Sequence, residues 1–177
     1  MAGKEFKKSM IEQAGENLFC FALDREDVKT LVAHLPEEVS CKPATVEYEL
    51  QLLKIISIGW SISFILEKNP FKDELAEVFW KAIHGFAENL SEMTELMTGH
   101  GIDYFQAARD RLDLYVAALA DNPGTAEPAA VIGPEFASQC GNREDIYTVM
   151  TGSRMFIITV TSVKEYLESG CIDAAAR

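Results

Sequence analysis

Lys54 and Arg154 are basic residues placed where apolar ones are expected: Lys54 is the only charge between Leu50 and Leu66, and Arg154 opens the apolar run Met155 to Val160. Neither has an acid three or four positions away, so nothing on its own helix can neutralise it. An unpaired buried charge costs on the order of several kcal/mol. Each side chain must therefore reach water along its stem, meet an acid from another segment, or face a cleft that holds an anion. The last case defines a candidate ligand site for a small anion, made of Lys54, Arg154 and the neighbouring aromatic Trp60.

Carboxylates gather in a second place. Glu74, Glu77, Lys81, His84, Glu88, Glu92 and Glu95 form one stripe at helical spacing, and from Asp73 to Asp103 seven acids stand against the single base Lys81. That segment carries −6 of the chain's net −12. Such a face attracts basic partners, and Glu88, Glu92 and Glu95 are the candidate partner-binding residues. His84 and Glu88 have the spacing to share a metal ion, but the same spacing makes an ordinary pair on a solvated helix face. A di-iron bundle needs Glu three residues before its histidines. Leu31, Lys81 and Met97 hold those positions before His34, His84 and His100.

Nucleophilic catalysis needs a base held beside a Ser or Cys. The chain has no Gly-x-Ser-x-Gly, and Cys20, Cys41, Cys140 and Cys171 lie far apart with no Cys-x-x-Cys. The phosphate-cradling loops Gly-x-x-x-x-Gly-Lys and Gly-x-Gly-x-x-Gly are missing too. Arg109 and Asp113, in a dense charged cluster, are expected to pair on a helix surface. No catalytic residue, metal ligand or cofactor is assigned.

Helices must position these groups. Asn69-Pro70 marks a start, with Asn as cap, the fixed φ of proline in the first turn, and Asp73 and Glu74 set against the helix dipole. Gly99-His100-Gly101 marks a stop, with Gly99 in the left-handed conformation. The expected helices run from Lys4 to Phe21, Asp24 to Leu35, Pro43 to Glu67, Pro70 to Thr98, Ile102 to Ala120 and Arg143 to Ser169, the last capped by Asn142. The helix from Pro43 is apolar nearly all round and belongs at the centre of a bundle. Its small residues Ser57, Gly59, Ser61 and Ser63 let a neighbour approach closely.

In the helix from Pro70, the residues Leu75, Phe79, Ala82, Phe86, Leu90, Met93 and Met97 are expected to face inward. In the final helix the set Ile146, Val149, Met150, Ser153, Ile157, Val160, Val163 and Leu167 has helical period, which outweighs the β-branched run Met155 to Val163. Asn122 to Pro134, rich in Ala, Pro and Gly, is expected to be a connection, with at most one helical turn from Pro134 to Cys140.

Across 177 residues, 48% of them hydrophobic, this pattern gives one all-α domain. Its expected form is an up-and-down bundle of four long helices over 43–170, with the 122–134 connection inside it, and two shorter N-terminal helices over 1–36. A net charge of −12 repels phosphate backbones, so nucleic acid is not an expected partner. The apolar stretch Leu52 to Leu66 contains Lys54 and falls short of the roughly 20 residues that cross a bilayer. Glu12 and Glu16 interrupt any export signal after Lys4, Lys7 and Lys8. The chain therefore reads as a cytoplasmic, non-enzymatic helical binding protein, off the membrane, engaging a protein partner or a second copy of itself. The alternative is a small-ligand or catalytic site inside the bundle, where helical proteins lodge ligands.

Overall fold

A computed structural model describes the backbone of residues 2–171 and the side chains of residues 10–169; Lys4, Lys7, Lys8 and Cys171 lie outside the described side chains. The fold is all-α. The described residues form α1 (Ala2–Leu23), α2 (Glu26–Ala33), α3 (Pro43–Ile65), α4 (Lys72–Thr98), α5 (Tyr104–Asp121), α6 (Pro128–Gln139) and α7 (Ile146–Tyr166). A π-helical turn over Leu167–Cys171 closes α7.

The centre is α3, started by Pro43 in its first turn. Thirteen of its residues are buried, which follows from a sequence that is apolar on every side. One apolar cluster joins Ile58 and Ile62 of α3 to Ile11 and Leu18 of α1 and to Leu75 and Phe79 of α4. A second joins Leu50 and Leu53 of α3 to Tyr115 of α5, Phe136 of α6 and Met155 of α7. Gly59 permits the contact with α4, because a Cβ there would collide with the Trp80 ring. The first helix lies along the side of the bundle: Ile11, Ala14, Leu18 and Ala22 form a buried stripe that packs along α4.

Three local expectations need correction. The segment 122–134 is a connection only as far as Glu127, since Pro128 opens α6 and Pro134 sits inside it. The apolar residues Ala129, Ile132, Gly133, Phe136 and Ala137 have helical spacing and are buried. Asn69 and Asn142 accept hydrogen bonds from the backbone N–H groups of Phe71 and Glu144, closing turns ahead of the helices. The cap of α7 is Asp145, whose side chain accepts from Thr148 N.

The third correction concerns which faces are covered. In α4 the buried residues are Leu75, Phe79, Ile83 and Ala87. Met93, Leu96 and Met97 are 58%, 87% and 81% exposed, so among the described residues this apolar side of the last turns is uncovered. Gly99 then ends the helix at φ 72°, its N–H donating to Glu95 O. In α7 the helical period holds but much of the expected face is turned outward: Ile146, Met150 and Ile157 are exposed, while Thr148, Thr151, Gly152 and Thr159 are buried. Gly152 decides this orientation, because a Cβ there would strike the Phe136 ring of α6.

Candidate functional site

A cavity of about 540 Å3 lies between α3, α4 and α5 and opens to solvent. Leu52 and Ile55 of α3 form one wall, with Ile83, Phe86, Ala87 and Leu90 of α4 facing them and Ala108 of α5 beside them. The cavity exists because α4 carries only Ala87 where Ile83 and Leu90 flank it, and α5 presents Ala108. The middle of the helix is therefore too lightly furnished to fill the space to α3.

Polar groups stand at the mouth. Arg25 and Glu47 form an ion pair there at 2.5 Å and are the charged residues lining the cavity. Tyr48 and Tyr104 add hydroxyls; that of Tyr104 lies 3.3 Å from Thr94 Oγ1. Burial, reinforced by the nearby Glu49 carboxylate, raises the Tyr48 pKa above its ordinary value, so the phenol stays neutral. Gln51 Nε2 donates to Ala22 O at 2.6 Å, whereas Gln51 Oε1 is buried without a hydrogen-bond partner.

Lys54 does not line this cavity. It is fully buried, donating to Asp24 O at 2.7 Å and to Asp27 Oδ1 at 2.9 Å, with Phe21 under its ammonium at 4.2 Å. Of its three possible fates it takes the second, an acid from another helix. The clamp fixes the corner between α1 and α2, from which Leu23 and Arg25 reach the cavity. Arg154 takes the first fate and is exposed on α7. Trp60 stacks on Phe64 at 4.7 Å and tilts against Phe156 at 5.4 Å. Lys54, sealed and paired, and Arg154, exposed, thus do not share a site, and none of Lys54, Trp60 and Arg154 lines the cavity.

Glu88, Glu92 and Glu95 are exposed on α4, where with His84, Asp103 and Phe105 they border a second, shallower groove. His84 Nδ1 lies 3.5 Å from Glu88 and its ring stands edge-on to Phe105. Among the described residues no three His, Cys, Asp or Glu side chains gather as a metal site.

Sequence reasoning missed two buried polar constellations. Glu49, 3% exposed, binds Arg111 through Nε and Nη2, both at 2.8 Å, while Arg109 and Asp113 stay exposed and unpaired among the described residues. Hydrogen bonding to Glu49 raises the Arg111 pKa and keeps it charged. The signal was available, since an acid inside an all-apolar helix demands a base. The second is Asp145, whose Oδ2 accepts from Ser40 N at 2.6 Å and Ser40 Oγ at 2.5 Å. Asn142 Nδ2 donates to the same hydroxyl, and the Asp145 carboxylate that the hydroxyl faces, with a pKa of about 2, is too weak a base to activate it. The Cys140 thiol, raised well above its usual range by burial, is equally unsuited to attack.

No family model matches the chain, and no curated protein or solved structure shows significant similarity to it.

Proposed function

We infer that the protein binds a small, uncharged and largely apolar molecule in the cavity between α3, α4 and α5. The observation that carries this reading is an apolar space of about 540 Å3, inside the range of roughly 300–1,000 Å3 typical of ligand sites. The charges at its mouth cancel, because Arg25 and Glu47 already satisfy one another. A charged ligand would have to break that pair or enter unpaired, at a desolvation cost that an alcohol or ketone avoids. Hydroxyls of Tyr48 and Tyr104 suit the single polar end of such a molecule. The exposed apolar face of α7 favours a second role, in protein association.

Nile red, an uncharged dye that brightens in apolar surroundings, tests the ligand reading. Its emission should rise on titration with the protein. Dodecan-1-ol should displace it more strongly than dodecanoate or dodecylamine at equal free concentration. Ala87→Phe, which fills the cavity, should abolish the signal while circular dichroism stays unchanged. Dye binding that survives this substitution in a folded protein would refute the assignment.

A further inference from the structure

Among the described residues, two of the exposed apolar surfaces carry opposite charge. One is the outer face of α7, where Ile146, Tyr147, Met150, Ile157 and Ile158 are 41–62% exposed around Arg154. From Ile146 to Val163 this helix contains no acid. The other is the α4 tip, where Met93, Leu96 and Met97, with Ile102 beyond Gly99, stand next to the exposed carboxylates of Glu88, Glu92 and Glu95. Contiguous exposed apolar patches of this kind mark association sites.

We propose that the α4 tip of one copy docks on the α7 face of the next, with Arg154 meeting the tip's carboxylates. Charge decides between the geometries. A two-fold pairing of α7 with its own copy would bring Arg154 into an interface whose α7 stripe offers no carboxylate, leaving a desolvated cation. The tip supplies acids beside apolar residues and so satisfies both features of the α7 face. The contact joins two different surfaces, so it is head-to-tail and each added copy presents a fresh end. Neither surface belongs to the cavity between α3, α4 and α5, so this association stands or falls independently of ligand binding.

Sedimentation equilibrium over a wide concentration range tests it. The unmodified protein should gain mass with concentration beyond a dimer, and less so in high salt. Arg154→Glu should remain monomeric because it spoils the α7 face, and Leu96→Glu should remain monomeric because it spoils the tip. Both positions are exposed, so circular dichroism should not change. An equimolar mixture of the two variants retains one good face and one good tip, and should form a heterodimer that grows no further. The proposal is overturned if the protein is monomeric throughout, if Arg154→Glu associates as well as the parent, or if a dimer survives Leu96→Glu, which would indicate α7 self-pairing. Co-sedimentation with phosphatidylcholine vesicles that Arg154→Glu leaves intact, without self-association, would assign the α7 face to a membrane and also overturn it.

Discussion

The Lys54–Asp27 pair should respond very unequally to loss of its two members. Lys54 is 0% exposed, whereas the Asp27 side chain retains 21% of its surface in water. Removing the carboxylate with Asp27→Ala strands a sealed ammonium with only Asp24 O and the Phe21 ring as partners. An uncompensated buried charge of that kind costs about 3–5 kcal/mol. Lys54→Met fills nearly the same space and leaves a carboxylate that water can still reach. Its cost is limited to the lost charge-assisted bonds, about 1–3 kcal/mol, partly offset because an ammonium is no longer desolvated. Urea unfolding followed by circular dichroism should therefore place Asp27→Ala below Lys54→Met by about 2 kcal/mol. The double variant should be more stable than Asp27→Ala alone, because the stranded charge is gone. If Asp27→Ala proves the milder change, or if the two effects simply add, the pair does not govern this corner and the argument fails.

Two other perturbations test the buried polar groups. Burial pushes the Asp145 carboxyl up, but hydrogen bonds from Ser40 Oγ, Thr148 N and Ser40 N outweigh it and hold its pKa at about 2, below the ordinary value of 3.8. A depressed folded-state pKa stabilises above the unfolded value and fades as pH falls from about 4 to about 2; Asp145→Asn should cost about 2 kcal/mol at neutral pH and flatten the acid limb of a urea-midpoint titration. Tyr115 Oη is buried without a hydrogen-bond partner, so Tyr115→Phe should leave thermal stability equal or raised by up to about 1 kcal/mol in calorimetry. Burial also raises the Tyr115 pKa, and in an alkaline absorbance titration that phenol should ionise only as the protein unfolds.

Much of the architecture was legible because punctuation is local. Pro43, the Gly99 stop and the amphipathic stripe of α4 each act within a few residues, and each marks an element close to where it lies. The spacing of Ala129, Ile132, Gly133, Phe136 and Ala137 also announced α6, but Ala, Gly and Pro contribute so little hydrophobic contrast that the segment resembled a loop. The outward face of α7 was not legible. Its orientation is set by Gly152 meeting Phe136, a match between two surfaces that neither stretch reveals alone. The cavity was invisible for a related reason: it is a space left by small residues on separate helices, and periodicity records what is present in one helix. The partner of Lys54 lay in between, since a paired fate could be deduced but Asp27 could not be named.

An unequal tolerance of sequence change follows from where α3 sits. A helix with a wet side can accumulate polar replacements there without consequence, as α4 can along Glu74, Glu77 and Lys81. From Leu52 to Gly59 every α3 residue is buried, and the two clusters on either side share its backbone. Nearly any drift in this stretch must be matched by a change in another helix. In a deep mutational library the stretch should stand out as a block of depleted substitutions with no period, beside the 3.6-residue rhythm of tolerance along α4. Loosening it should melt both clusters in a single cooperative step, because neither retains a complete wall without it.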